Sequence, residues 1–203
     1  EMCIRDRDIF TLFKHLAILN KTEGLGLFLE LSSHGLHQER LNMLDYEKVC
    51  IANIGSDHLD YHQTQEDYER SKLSILDLSQ RLTPLVNYDV LEVIKKHKIK
   101  DYEMQTFSDM QEKGDFLFRI FPREIDSYDV EISELEKSKS IKFNTNLFPK
   151  FNITNLCTAI VMLKNNLIKL NINKEIQNIA LPKGRNTVFK SKSKHVIIDF
   201  AHN

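Results

Sequence analysis

Apolar positions along the first half of the chain recur at spacings that predict alternating helices and strands. Apolar residues at helical spacing predict a helix over residues 8–20, with Asp8 as its N-cap. Short apolar runs bounded by polar residues and glycine predict buried strands. The predicted elements of this half are helices 8–20, 64–79 and 90–98 and strands 25–31, 48–54 and 83–87. Because strands alternate with helices, the pattern indicates parallel βαβ units in an open α/β sheet.

The second half of the chain follows a different pattern. Three segments, 116–120, 128–132 and 141–147, predict the strands of an antiparallel meander. A long helix over 151–167 and a short helix over 174–180 come next, and strands at 187–190 and 195–200 close the chain. Pro182, Lys183 and Gly184 punctuate the chain, so we expect a domain boundary there.

Composition and charge restrict the classes of function. Of the 203 residues, 41% are apolar and 28% are charged, which is typical of a soluble globular protein. The net charge of -1 favours neither a nucleic acid nor an anionic membrane surface as a partner. Three widely spaced cysteines form neither a metal pair nor a disulfide framework, which fits a reducing cytoplasm. No apolar run approaches membrane-spanning length, so we expect no membrane insertion.

The first seven residues, EMCIRDR, are mostly charged and show no apolar periodicity. The string resembles translated adapter sequence, and we expect residues 1–7 to be a non-native leader. The alternative is a native polar terminus. These residues are therefore set apart from the fold prediction, which begins at Asp8.

Polar side chains suited to catalysis or binding are dense between residues 30 and 72, directly after two predicted strands. In open α/β sheets, ligands bind beyond the carboxyl ends of strands. Glu30 and His58 are suitable ligands for Mg²⁺, which usually takes one or two protein groups, waters and phosphates. Taken singly, each residue is more often structural than a ligand. His58 and His62 also have the spacing of a zinc pair, but the glutamate base of a metalloprotease helix is absent.

Two segments of this region, LELSSHGLHQER (29–40) and NIGSDHLDYHQTQEDYERSK (53–72), resemble the central-domain signatures of the UDP-N-acetylmuramyl-tripeptide synthetases, the E-type Mur ligases. The resemblance implies an α/β fold over residues 8–182, the ATP-binding central domain of Mur ligases without its phosphate-loop portion. That domain is similar to P-loop NTPases, with a mostly parallel sheet, helices on both faces and a small antiparallel part. Residues 183–203 would then begin the C-terminal domain, and their strands would be its first.

The resemblance also implies roles for six residues of the two segments. It implies that Glu30 and His58 hold Mg²⁺ and that Lys72 is carbamylated, so that its carbamate binds or positions the metal. A carbamate is an anion and suits bound metal, whereas an ammonium would repel it. By residue type alone, Lys72 is a solvated helix lysine. The implied contacts to the muramyl-dipeptide are Ser32, Gln38 and Arg40, while Ser33, His34 and Gly35 are expected to shape the loop.

Three later segments follow in the order of the same family. LFPKFNITNLCTAI (147–160) implies that Asn152 and Asn155 lie near the nucleotide, although helix capping is an alternative for Asn152. GRNTVF (184–189) implies that Arg185 reaches ATP. DFAHN (199–203) implies that Asp199 and His202 contribute to the ATP site.

The activity implied by the resemblance is ATP-dependent amide ligation in the cytoplasm, with Mg²⁺ as the metal. The substrates would be UDP-MurNAc-L-Ala-D-Glu, ATP and a diamino acid, either meso-diaminopimelate or L-lysine, and the enzyme would be a monomer. No phosphate loop of the form G-x-x-x-x-G-K-[ST] occurs in the 203 residues, so we expect no ligase activity from this chain alone. Two alternatives stay open: another ligase of the folylpolyglutamate or cyanophycin type, and a catalytically inactive binding module.

Overall fold

The chain divides into two compact units in the computed structural model. Unit 1 comprises Glu1–Pro84 and Val90–Glu103, and unit 2 comprises Leu85–Asp89 and Met104–Asn203. The structure describes residues 9–19, 21, 28–40, 42–78, 83–99, 103–124, 127–137, 139–163, 176, 179–182, 184–191 and 194–199. Among these residues, no helix has the length and apolar character needed to cross a bilayer.

Unit 1 is mainly helical in its described part. Its elements are α1 (Ile9–Leu19), α2 (Ser33–His37), β1 (Cys50–Ile51), α3 (Leu59–His62), α4 (Gln65–Leu73), α5 (Ile75–Leu78) and α6 (Val90–Lys96). The predicted helices 8–20 and 90–98 are therefore confirmed to within two residues at each end. Buried apolar side chains of this unit include Leu12, Leu36, Val49, Ile51, Tyr68, Leu73, Leu76 and Ile94.

The predicted helix 64–79 is present but broken at Ser74. Thr64 and Asp67 have the spacing of a capping box in the sequence, and Thr64 caps α4, because its hydroxyl oxygen accepts the backbone N–H of Asp67 at 3.1 Å. The Ser71 hydroxyl donates to the carbonyl of Asp67 at 2.8 Å, and the Ser74 hydroxyl donates to the carbonyl of Ser71 at 2.9 Å. Such side-chain bonds compete with the helix ladder, which explains a turn between α4 and α5.

Two strands predicted in unit 1 differ from the structure. The described part of the first, residues 28–31, forms no strand, and Phe28 is exposed. The second is reduced from residues 48–54 to Cys50–Ile51. An apolar run reports how well a segment suits burial, but a strand also needs a neighbouring strand to complete its backbone hydrogen bonds.

Unit 2 is built on a mixed sheet in which strands β2 to β6 are neighbours in chain order. Strand β2 pairs in parallel with β3, and β3 with β4, while β4, β5 and β6 form the predicted antiparallel meander. The α/β class is therefore confirmed. The strands are β2 (Leu85–Asn87), β3 (Gln105–Ser108), β4 (Phe116–Glu124), β5 (Ser127–Glu134) and β6 (Lys139–Thr145).

Strand β3 was not predicted, because only Phe107 among its four residues is a large apolar side chain. Phe107 is fully buried, and its ring stacks on that of Phe118 with centroids 5.2 Å apart. The seven-residue connection from β3 to β4 is fixed by Asp115, whose carboxylate accepts from the Thr106 backbone at 2.6 Å and hydroxyl at 2.8 Å. Long-range packing therefore makes this strand where the local pattern is weak.

Helix α7 (Lys150–Leu163) follows the meander, and the hairpin of β7 (Thr187–Ser191) and β8 (Lys194–Ile198) comes last. Helix α7 confirms the predicted helix 151–167 as far as residue 163, and residues 164–167 lie outside the described residues. Most of the predicted short helix 174–180 also lies outside them. The predicted strands 187–190 and 195–200 are confirmed as an antiparallel pair, except that residue 200 is not described.

Candidate functional site

The two polar motif segments meet in unit 1. Ser33 Oγ lies 2.9 Å from Nε2 of His62, which is 29 positions further along the chain. On the surface, the Tyr61 hydroxyl lies 3.0 Å from Nδ1 of His37 and accepts from Nε2 of Gln38 at 3.0 Å. The structure thus joins α2 of the first segment to α3 of the second by direct hydrogen bonds.

Helix α2 replaces the loop that was expected at Ser33, His34 and Gly35. Ser32 is its N-cap, with extended backbone angles, and its hydroxyl oxygen accepts the backbone N–H of Gly35 at 3.0 Å. Ser33 is buried at the start of the helix rather than shaping an exposed loop. The expectation of a loop was wrong because a serine followed by only five helical residues gives little periodicity to detect.

The predicted substrate contacts Gln38 and Arg40 belong to one chain of hydrogen bonds. Arg40 donates through Nε to Oε1 of Gln38 at 2.8 Å, and Gln38 in turn donates to the Tyr61 hydroxyl. The amide of Gln38 therefore has its orientation fixed at both ends. Tyr61 was not assigned a role from the sequence, although it lies within the quoted motif.

His62 lies beneath this surface and is buried. Its Nε2 faces Ser33, and its Nδ1 lies 3.5 Å from the hydroxyl oxygen of Ser71 on α4. The alternative of a zinc pair gave His62 a ligand role, but both of its nitrogens face serine hydroxyls. In the described part of the chain, no group of three or more His, Cys, Asp or Glu side chains is arranged to hold a metal ion.

Aromatic and imidazole rings surround His62. The ring of His34 lies between those of Tyr61 and His58, with centroid distances of 4.0 Å and 4.7 Å. Burial lowers the pKa of His62, and the neighbouring imidazoles of His34, His37 and His58 lower it further. A neutral imidazole is thus favoured at this position.

His58 has an unusual backbone conformation. Its φ of 53° and ψ of 35° place it in the left-handed region, directly before α3. Its backbone N–H donates to Oδ1 of Asp57 at 2.8 Å, and its Nε2 lies 3.5 Å from Oδ2 of the same carboxylate. Left-handed backbone at a non-glycine residue is a form of strain that is frequent at functional sites.

The other two predicted metal-binding residues, Glu30 and Lys72, lie in different surroundings. Glu30 is exposed in the segment before α2. Lys72 is half-buried on α4, with Nζ 5.9 Å from the centroid of the Tyr68 ring. The carboxylate of Glu30 is the kind of oxygen ligand that Mg²⁺ prefers, since Mg²⁺ takes few protein ligands and completes its shell with water and phosphate oxygens. The imidazole of His58 suits zinc as well.

A buried carboxylate, Glu69, was not singled out from the sequence. Its Oε2 accepts from Lys96 Nζ at 2.8 Å and lies 2.5 Å from Nε2 of His97, and its Oε1 accepts from Gln65 at 3.2 Å. Gln65 also donates to the carbonyl of Gly55 at 2.7 Å. Burial raises the pKa of Glu69, but hydrogen bonds from Lys96, His97 and Gln65 outweigh it and hold the pKa at about 2.

The predicted nucleotide residues Asn152 and Asn155 lie on α7 in unit 2. The helix begins at Lys150, so Asn152 is not its N-cap, and its side chain instead donates to the carbonyl of Phe148 at 2.9 Å. Asn155 is exposed. Sequence reasoning missed Asp109, which directly follows β3. Its carboxylate accepts from the Thr154 hydroxyl at 2.8 Å and so attaches the N-terminal part of α7 to the end of β3.

A cleft of about 670 Å³ adjoins the start of α7 within unit 2. Arg185 directly precedes residues 186–188, which line one side of the cleft. It lies in a turn in which Gly184 has a φ of 78° and donates its backbone N–H to the Thr187 hydroxyl at 2.9 Å. Asp199 is exposed after β8, and His202 lies outside the described residues. The cleft is lined by residues 144–148, 176, 179–181 and 186–188.

The fold is that of the Mur ligase central domain that the sequence resembles. The sequence pattern of the Mur ligase middle domain matches residues 7–163, and the chain belongs to this family. Among curated relatives, the UDP-N-acetylmuramoyl-L-alanyl-D-glutamate–2,6-diaminopimelate ligase of Wigglesworthia glossinidia brevipalpis is 31% identical over 185 residues, covering 86% of this chain and 36% of the relative. The ligase of the same name from Aquifex aeolicus is 33% identical over 174 residues, covering 85% of this chain and 35% of the relative.

A solved structure of a UDP-N-acetylmuramoyl-L-alanyl-D-glutamate–2,6-diaminopimelate ligase is similar as well. It superposes with a TM-score of 0.68 at 25% sequence identity, covering 86% of this chain and 36% of the solved chain. The chain therefore spans about a third of the length of the relatives that it matches.

Proposed function

We propose that this chain is part of an ATP-dependent ligase that adds the third amino acid to UDP-MurNAc-L-Ala-D-Glu during peptidoglycan synthesis. The names of the relatives support this substrate. The observation that carries the proposal is the direct contact between the two motif segments, which begins at the 2.9 Å hydrogen bond between Ser33 and His62. The contact gathers polar and titratable side chains of both segments in one place, which is what a substrate site requires.

The muramyl-dipeptide would bind at the exposed side of α2. The guanidinium of Arg40 is suited to a pyrophosphate or a carboxylate, and Gln38 holds it through Nε. The oxygen of the Ser32 hydroxyl accepts the Gly35 N–H, so its own proton is available to donate to a substrate oxygen. Ser32 lies at the N-terminal end of the short helix α2, and Gln38 and Arg40 follow its C-terminal end. The helix therefore keeps the three side chains at fixed separations.

Mg²⁺ would be held by Glu30, His58 and the carbamate of Lys72. Asp57 lies beside Nε2 of His58 and so orients the imidazole, leaving Nδ1 for a ligand. Bound Mg²⁺ would neutralise the charge that develops on a phosphoryl group in transfer. The ion pair of Glu69 with Lys96 and His97 anchors α4, the helix that carries Lys72.

ATP would bind in unit 2, with its adenosine part in the cleft beside α7. The side chains proposed to bind it are those that the sequence motifs imply, Asn152, Asn155, Arg185, Asp199 and His202. The γ-phosphoryl group would pass to the side-chain carboxylate of D-Glu, giving an acyl phosphate and ADP. The amine of the incoming amino acid would then attack the acyl carbon and lose a proton. The C–N bond forms first, in a tetrahedral intermediate, and the C–O bond to phosphate then breaks, so that inorganic phosphate leaves.

The test replaces the segment of the Aquifex aeolicus ligase that aligns with this chain, over 174 residues, with the aligned part of this chain. We expect the hybrid enzyme to make UDP-MurNAc-tripeptide from ATP and one diamino acid, supplied separately as meso-diaminopimelate and L-lysine. The variant Lys72→Ala is expected to lower kcat by about 100-fold or more, because it removes a metal-binding group. Lys95→Ala, at an exposed position on α6, is the matched control and is expected to retain activity.

A hybrid that melts cooperatively and binds ATP, yet forms no tripeptide with either amino acid, would contradict the proposal. Equal activity of the Lys72→Ala and Lys95→Ala variants would remove Lys72 from the site while leaving the ligase assignment in place.

A further inference from the structure

His62 contacts two other helices through its two ring nitrogens, and the proposed reaction gives it no role. Nε2 lies 2.9 Å from the hydroxyl of Ser33 on α2, and Nδ1 lies 3.5 Å from the hydroxyl of Ser71 on α4. All three side chains are buried, at 4%, 1% and 6% exposure respectively. The three residues form what is here called the Ser–His–Ser link.

The partners of the two serines determine which nitrogen of His62 carries the proton. Ser71 has a single hydroxyl proton, and it donates that proton to the carbonyl of Asp67 at 2.8 Å. Ser71 therefore accepts from Nδ1–H of His62. In the neutral ring, Nε2 is then the acceptor, and the Ser33 hydroxyl donates to it.

The surroundings of the ring support the neutral form. Burial and three nearby imidazoles disfavour a positive charge on His62. The neutral tautomer with its proton on Nδ1 also satisfies every polar atom of the Ser–His–Ser link. Buried networks that are fully satisfied hold the groups around them in one arrangement.

We propose that His62 is a positioning residue, whose neutral Nδ1–H tautomer fixes α2 against α4 and thereby sets Ser32, Gln38 and Arg40 for the UDP-linked substrate. The kinetic part of this inference rests on the proposed function. Tyr61, the preceding residue, contacts the exposed end of α2 through His37 and Gln38, so α3 holds α2 on two sides. Residue 62 provides the buried contact and residue 61 the exposed one.

The tautomer is tested on the chain itself, without any activity. A long-range ¹H–¹⁵N correlation spectrum at neutral pH is expected to show His62 protonated at Nδ1 and unprotonated at Nε2. The variant Ser71→Ala is expected to shift the His62 signals toward a mixture of tautomers, since it removes the acceptor for Nδ1–H. A His62 ring protonated at Nε2 alone in the unsubstituted chain would overturn the inference.

The positioning role is tested in the hybrid enzyme described above. His62→Leu and Ser33→Ala are expected to raise KM for UDP-MurNAc-L-Ala-D-Glu about tenfold, because each leaves a buried polar partner unsatisfied. KM for ATP is expected to stay within twofold. His62→Gln, which keeps an acceptor toward Ser33, is expected to recover part of the loss. Ser140→Ala, at an exposed position of β6, is the control.

Equal increases in KM for both substrates, or a loss confined to thermal stability, would overturn the positioning role. The two proposals fail separately. If the chain shows the expected tautomer but the hybrid is inactive although it melts cooperatively and binds ATP, the ligase assignment is contradicted and the inference about the tautomer stands. An active hybrid in which His62→Leu leaves KM for the UDP-linked substrate unchanged contradicts the role of His62.

Discussion

Residues 57 and 58 show how a single side chain acquires a defined direction in this fold. Asp57 contacts both the backbone N–H and the Nε2 of His58, and His58 takes a left-handed conformation at the start of α3. A left-handed residue turns the chain sharply, here directly before α3. The expected cost of this conformation for a non-glycine residue is about 1–3 kcal/mol.

This strain makes a prediction about stability. The free energy of unfolding of His58→Gly is expected to exceed that of His58→Ala by about 1 kcal/mol, because glycine adopts positive φ without a steric cost. The reference pair is Arg70→Gly and Arg70→Ala at an exposed position inside α4, where alanine is expected to be the more stable by about 1 kcal/mol. Urea unfolding of the four variants gives both differences. An alanine advantage at both positions would contradict the strain at His58.

At the scale of elements, α4 is the helix to which the others of the site are attached. It contacts α2 through the Ser–His–Ser link, the segment before His58 through Gln65, and α6 through Glu69. Its N-terminus is fixed by the Thr64 cap. Breaking a buried ion pair by removing one charge typically costs about 3–5 kcal/mol, so the contact with α6 is the most sensitive of these attachments.

The lowered pKa of Glu69 predicts a dependence of stability on pH. Because the folded pKa is about 2 and the ordinary value is 4.5, the ionised carboxylate stabilises the fold fully above pH 4.5. This stabilisation is lost as the pH falls from 4.5 to 2. The groups that face Glu69 are Lys96 at the end of α6, His97 directly after that helix, and Gln65 on α4 itself.

The expected measurement is the free energy of unfolding in urea between pH 2 and pH 7. Glu69→Gln is expected to lose about 3 kcal/mol at pH 7, which corresponds to the pKa difference at 1.36 kcal/mol per unit. The gap to the unsubstituted chain should narrow below pH 4.5. Glu66→Gln, exposed on the same helix, is expected to differ by less than about 0.5 kcal/mol at every pH. A difference in free energy of unfolding between Glu69→Gln and the unsubstituted chain that does not change with pH would contradict the lowered pKa of Glu69.

At the scale of the whole molecule, each unit carries its own part of the proposed chemistry. Unit 1 contains the residues proposed for the muramyl-dipeptide and Mg²⁺, and unit 2 contains the cleft and the residues proposed for ATP. The phosphate-loop motif that surrounds ATP phosphates with backbone N–H groups does not occur in the 203 residues. The chain can therefore be tested for binding of each ligand separately from catalytic turnover, which also needs the phosphate loop.

We expect the chain by itself to show no ligase turnover. The assay is release of inorganic phosphate with ATP, Mg²⁺, UDP-MurNAc-L-Ala-D-Glu and each diamino acid, compared with the hybrid enzyme at equal concentration. Phosphate release that depends on both ATP and the UDP-linked substrate would contradict this expectation. A cooperative melt of the same sample shows that an absence of turnover does not result from unfolding.

The sequence alone determined the features that depend on neighbouring residues. Helix α1, the Thr64 cap, the antiparallel meander and the start of α7 all follow from local periodicity or capping chemistry. The family resemblance rested on motif spacing, and the match over residues 7–163 confirms it. These features were predictable because each signal lies within one element or one short motif.

Only the tertiary structure decided which of these motif residues touch one another. Ser33 and His62 are 29 positions apart, and Glu69 and His97 are 28 positions apart, so neither pair leaves a local pattern in the sequence. Strand β3 likewise depends on its neighbours rather than on its own residues. Local periodicity reports which face of a segment is buried, whereas the identity of its partner depends on how distant segments pack.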